Sequence, residues 1–107
     1  MRWRQMLNTC IDFTLGDGRV VPLTLQFYAL YKLQAAAPEA FERYNKTQTQ
    51  GAENVFDIIG VIYAAYCCGA ILSEKEYMSF EEFLQALPPN HNTLTGLYIE
   101  LLNPKKN

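Results

Sequence analysis

The sequence predicts an α+β domain that is mostly helical. An N-terminal β-hairpin leads into about five helices packed around a central apolar helix over residues ~54–70. Three observations carry this reading. Thr9 to Leu15 alternates: Ile11, Phe13 and Leu15 share one face, while Cys10, Asp12 and Thr14 share the other. That period of two is the mark of a half-buried strand. From Thr24 onward the apolar residues recur at spacings of three and four instead. Finally, Ile58 to Leu72 holds no charged residue.

The hairpin spans residues ~9–23. Gly16-Asp17-Gly18 supplies its turn, because glycine accepts positive φ without steric cost. Arg19 to Leu23 is the returning strand, and Pro22 near its end marks an edge or an exit from the sheet. A two-stranded hairpin is marginal by itself, so it must lean on helices.

Thr24 is the candidate cap of a first helix that runs to about Ala36, with Phe27, Leu30, Tyr31 and Gln34 or Ala35 at helical spacing. Pro38 ends it and can open the next helix, where Phe41 and Tyr44 lie three apart. Glu39, Glu42, Arg43 and Lys46 face water there, and Thr47 to Gly51 reads as a polar link.

The central helix follows. Val55, Ile58, Ile62 and Ala65 form one apolar stripe, and Phe56, Ile59, Tyr63 and Tyr66 form another. A helix that is apolar all round has to be buried. Asn54 can cap it, Asp57 suits the positive end of its dipole, and Gly69 is the candidate C-cap. A membrane span needs about 20 predominantly apolar residues. The uncharged run here is shorter, contains two glycines and two tyrosines, and has no basic cluster beside it, so a core helix is the expected role.

Ser73-Glu74-Lys75-Glu76 and Ser79-Phe80-Glu81-Glu82 both match the Ser-x-x-Glu capping box. Met78 and Phe83 sit at the staple positions of the second. That short helix ends at Pro88-Pro89, Asn90-His91-Asn92 is loop, and a last helix from about Asn92 to Leu102 presents Leu94, Leu97, Tyr98 and Leu101. Residues 103–107 form a solvated tail, and 1–107 is read as one domain.

Composition narrows the function classes. Half of the 107 residues are hydrophobic and 13% are aromatic, enough for a core without disulfides or metal. The net charge is −2 and the sequence pI is about 5.3, which gives no general attraction for nucleic acid or an anionic membrane. Cys10, Cys67 and Cys68 are an odd set, with two adjacent on the core helix, and suit a reducing cytoplasm rather than a disulfide framework. The N-terminus lacks the apolar core of a secretory signal.

Catalytic patterns are missing. His91, the single histidine, has no cysteine or carboxylate near it at metal spacing. Cys67 and Cys68 point roughly 100° apart around a helix, a poor zinc pair, and read as small core residues. Gly16-Asp17-Gly18 lacks the lysine and helix of a phosphate loop. Glu74, Glu76, Glu81 and Glu82 lack an EF-hand pattern and read as caps and surface charge. Arg2-Trp3-Arg4 reads as a surface strand or terminus. No catalytic, cofactor or metal residue is assigned.

The seven tyrosines all fall on or beside helices. Tyrosine is enriched at interfaces, and Tyr28, Tyr31, Tyr44 and Tyr98 are the candidate partner-binding residues.

Taken together, GDGRVVPLTL, FYALYKLQAAAPEAFERYNK, DIIGVIYAAYCCGA and EYMSFEEFLQALPPN resemble the tail assembly chaperones of long-tailed phages and prophages of low-GC Gram-positive bacteria. The resemblance rests on the order of the elements over roughly residues 10 to 90, not on one motif. It implies a non-enzymatic protein of the host cytoplasm, absent from the mature virion. Such a protein binds the tape measure protein, keeps it soluble, and helps recruit tail tube protein around it. It also implies that a longer form can arise by frameshifting near the end of the reading frame, for which the lysine-rich tail is the place to look. Self-association is a further expectation; no nucleic acid, membrane or cofactor is expected. Two other classes compete. A head–tail adaptor or tail terminator would remain in the virion as a structural component, and a small helical transcription regulator would need a basic recognition face.

Overall fold

The computed structural model describes residues 10–103. Thr9, the Arg2-Trp3-Arg4 run and the Lys105-Lys106-Asn107 tail lie outside them. Two antiparallel strands, β1 (Ile11–Thr14) and β2 (Val20–Leu23), precede five helices: α1 (Phe27–Ala36), α2 (Pro38–Gln50), α3 (Val55–Leu72), α4 (Phe80–Ala86) and α5 (His91–Leu102). The fold is α+β and mostly helical.

The hairpin pairs Ile11 with Leu23 and Phe13 with Val21. Phe13, Leu15 and Leu23 are buried, whereas Asp12 and Thr14 are exposed. Its turn closes through the Leu15 N–H donating to the Arg19 carbonyl at 2.7 Å, with Gly18 at φ 93°. Asp17 accepts the Arg19 backbone N–H at 3.0 Å and the guanidinium at 2.7 Å. The Gly16 N–H reaches the Ala86 carbonyl at the end of α4, also at 2.7 Å.

α3 is the axis, with α1, α2, α5 and β2 packed around it. Val61, Ile62, Ala64, Ala65, Cys67 and Cys68 are fully buried. By length and composition α3 could cross a membrane, and 72% of it is buried inside the domain. Its N-terminus is built as its residues suggest: Asn54 accepts the Phe56 and Asp57 N–H groups at 2.9 and 3.3 Å.

The end of α3 differs from expectation. Gly69 is not its C-cap; the helix continues to Leu72, with Ser73 as cap. The glycine serves the hairpin instead. A Cβ at Gly69 would run into the Pro22 carbonyl oxygen and lie 2.9 Å from the Pro22 carbonyl carbon. The absent side chain lets β2 lie directly on α3, where the Thr24 N–H donates to the Ala65 carbonyl at 3.2 Å.

Four other boundaries differ. Thr24 does not cap α1. Its hydroxyl accepts the Gln26 N–H at 3.3 Å, but Gln26 is the cap residue and makes no side-chain cap bond. The reason is the buried Thr24 anchor to α3, which holds the chain extended before the helix begins.

The expected link Thr47 to Gly51 is largely helix, for α2 runs to Gln50 and stops at Gly51, φ 85°. Thr47 is buried, one turn beyond Tyr44 and two beyond Ala40 on the face toward α3, so its polarity hid its place. Ser73 to Glu76 forms no helix, since Glu74 turns the chain at φ 57°.

The second capping box is present. Glu82 N–H donates to Ser79 Oγ at 3.2 Å, and Ser79 N–H donates to Glu82 Oε1 at 2.9 Å. α5 begins at His91 rather than Asn92, because Asn90 accepts the Thr93 N–H at 3.2 Å and caps it.

Candidate partner-binding surface

The tyrosines divide according to what packs beneath their helices. Tyr63 and Tyr66, on α3, are internal. They form an aromatic cluster with Phe80 and Phe83 of α4, with ring centroids 5.0 to 6.1 Å apart. Tyr63 Oη donates to the Met78 carbonyl at 2.7 Å, while the Met78 N–H donates to Tyr66 Oη at 2.9 Å. Both polar groups of one peptide-bearing residue are thereby satisfied, and the segment before α4 is fastened to the central helix. Burial pushes the Tyr63 hydroxyl well above its ordinary range, so it is a donor at any physiological pH.

The candidate binding residues do not form one constellation. Tyr28 and Tyr31 share α1 and are exposed, Tyr31 at 71%. Tyr44, on α2, is half-buried beside Phe41 at a centroid distance of 6.2 Å, and burial raises its hydroxyl pKa. Tyr98 is half-buried on α5. Only the α1 pair is presented openly.

The same helix carries a residue whose exposure its sequence conceals. Phe27 is 88% exposed, more than any other large hydrophobic residue described. In the helical stripe of Phe27, Leu30 and Tyr31, Leu30 turns inward and the two rings turn outward. Ala29, Leu30 and Leu33 supply the buried face. The rotation is set upstream, where Leu23 and Thr24 are pinned against α3. Phe27 and Tyr31 lie one helical turn apart, at the i,i+4 spacing that places side chains side by side. Tyr28 flanks them with the Lys32 ammonium 5.6 Å from its ring centre. Lys32 is the one charged residue of α1.

A separate groove of about 220 Å³ lies where α2, the start of α3 and α4 meet. Arg43, Lys46, Phe56, Asp57 and Phe80 line it. The Arg43 guanidinium stacks over Phe80 at 4.1 Å, and Phe56 is 59% exposed. Phe56 belongs to a stripe whose other members, Ile59, Tyr63 and Tyr66, are buried; it projects from the first turn of α3, beyond the reach of the packed helices. No pattern in the chain marks this groove, because its parts are far apart in sequence.

The thiols are core groups. Burial pushes Cys67 to about 11 and Cys68 to about 12, so both are protonated near neutral pH. His91 stands exposed at the start of α5.

Comparison of the chain with known protein families, with curated proteins and with solved structures returns no match.

Proposed function

We propose that this chain is a non-enzymatic tail assembly chaperone of a phage or prophage, acting in the bacterial cytoplasm and absent from the finished virion. Its work is to bind the tape measure protein, a long helical polypeptide, hold it soluble, and help bring tail tube subunits to it. The observation that carries this reading is the aromatic face of α1. Phe27 and Tyr31 stand 88% and 71% exposed on a helix whose opposite face is fully packed.

An exposed apolar patch on a domain that has already buried its core marks an interaction surface. Rigid aromatic side chains are the residue type that dominates such contacts. The face is nearly uncharged, so it suits the apolar stripe of another helix rather than a polyanion. The resemblance in element order supplies the identity of that helix.

Co-expression tests the proposal. The tagged chain is produced with the longest coiled-coil-rich reading frame encoded just downstream. Recovery of that large protein in soluble form, only when this chain is present, is the expected result. Phe27→Ser combined with Tyr31→Ser should abolish the recovery. If the large protein is soluble alone and is not retained, the chaperone reading fails. Detection of the chain in purified virions would favour a head–tail adaptor or tail terminator instead.

A further inference from the structure

We infer that the groove between α2, α3 and α4 is a second docking site, which takes a short acidic segment of a protein partner carrying an apolar side chain beside its carboxylates. None of the groove's lining residues belongs to α1, so the inference is independent of the aromatic face and of the chaperone reading.

Charge is the first argument. Among the described residues, the side chains of Arg43 and Lys46 make no ion pair and no hydrogen bond. Arg43 is fixed by other means: its guanidinium lies over the Phe80 ring, and its stem crosses Gly60, where a Cβ would touch it at 3.5 Å. A guanidinium stacked in this way keeps its planar donor fork for a carboxylate. The groove does contain one carboxylate, Asp57, but that group is committed. It accepts the Glu53 N–H at 2.7 Å and sits in the first turn of α3, where the helix dipole favours a negative charge. Two cations thus stand without an ion-pair partner.

Shape and polarity are the second. Phe56 is exposed along the groove and Phe80 is half-buried in it, so an apolar surface lies beside the cations. The volume of about 220 Å³ is below the roughly 300 Å³ at which small-molecule sites begin. It accepts a large side chain, not a cofactor. Glu39 and Glu42 on α2 and Glu81 and Glu82 on α4 border the cations, so a long run of negative charge such as a nucleic acid backbone would be repelled, and the fit is to a segment with only the two carboxylates that Arg43 and Lys46 can pair. An acidic amphipathic peptide meets each feature: its carboxylates reach Arg43 and Lys46, and its apolar side chain lies against Phe56.

The test uses the full chain, isotopically labelled, and three short synthetic helical peptides. All share one Leu/Phe stripe, and two flanking positions are both Glu, both Gln or both Lys, with the rest neutral. Titration followed by fluorescence anisotropy and amide chemical shifts should show the Glu peptide binding with shifts centred on Arg43, Lys46, Phe56 and Gly60. The Gln peptide should bind about tenfold more weakly and the Lys peptide not measurably. Arg43→Glu with Lys46→Glu should weaken the Glu peptide about tenfold and favour the Lys peptide. Phe56→Ser, which leaves the charges in place, should weaken the Glu and Gln peptides alike. Phe27→Ser with Tyr31→Ser should change nothing here, which separates failure of this site from failure of the α1 surface. Equal binding by all three peptides, shifts centred on α1, or binding indifferent to Arg43 and Lys46 would overturn the inference. So would duplex DNA binding through these two cations while the Glu peptide does not bind.

Discussion

Gly69→Ala is the substitution that most directly tests how the hairpin is joined to the helices. In an ordinary helix interior, alanine is better than glycine by about 0.5–1 kcal/mol. Gly69 lies inside α3, so local propensity alone predicts a more stable protein. The tertiary contact predicts the reverse. The new Cβ would meet the Pro22 carbonyl oxygen and lie 2.9 Å from its carbon. Both are backbone atoms and cannot swing aside as a side chain could. β2 would have to lift from α3. Overpacking of this kind costs roughly 1–3 kcal/mol. The lift would also strain the bond from Thr24 N–H to the Ala65 carbonyl, which at 3.2 Å is one of the ties between hairpin and helix. Such a bond contributes about 1 kcal/mol.

The opposing effects leave a net loss of about 1–3 kcal/mol, which in a domain of this size lowers the melting temperature by about 10 °C. Gly96→Ala is the matched control. It is also inside a helix, α5, but a Cβ there has nothing within 4 Å. It should gain about 0.5–1 kcal/mol and melt a few degrees higher. Thermal and urea unfolding followed by far-ultraviolet circular dichroism measures both. A Gly69→Ala protein that melts at or above the parent would refute the close approach of β2 to α3.

The remaining predictions concern the tyrosine tie, the thiols and the aromatic face. Tyr63→Phe removes the donor to the Met78 carbonyl and should cost about 1 kcal/mol in urea unfolding with the fold retained. An unchanged midpoint would show that water replaces the bond. Cys67 and Cys68 have folded pKa values of about 11 and about 12, raised from an ordinary 9.0. Because the folded state favours the neutral thiols, their contribution to stability is complete below pH 9.0 and is lost as pH rises through about 11 and about 12. The urea midpoint should fall over that alkaline window, and replacing both cysteines with alanine should reduce the fall. Phe27→Ser with Tyr31→Ser should change unfolding free energy by no more than about 0.5 kcal/mol, as exposed substitutions do. A large loss of stability would mean that these rings pack in the folded protein and are not a free surface.

The sequence by itself determined the elements whose signals are local. Alternation at Ile11, Phe13 and Leu15 marks a strand because successive side chains point to opposite faces. Asn54 and the Ser79–Glu82 pair mark helix starts because a short side chain can reach an amide two or three residues on, and the bonds at 2.9 to 3.3 Å are those reaches. The uncharged run of α3 marks the centre because a helix apolar on every side has no face to offer water.

Tertiary structure decided what depends on contacts distant in sequence. Gly69 reads as a helix end until Pro22 is seen lying on it. Thr47 reads as linker until the face it shares with Ala40 is seen against α3. Phe27, Leu30 and Tyr31 are one apolar stripe in the sequence, and only the anchoring of Leu23 and Thr24 decides which side of that stripe is buried. The groove of Arg43, Phe56 and Phe80 is assembled from three helices, so no spacing in the chain could announce it. Local hydrogen-bonding chemistry is written within a few residues, whereas the rotation of a helix and the contents of a groove are set by which distant backbone lies against it.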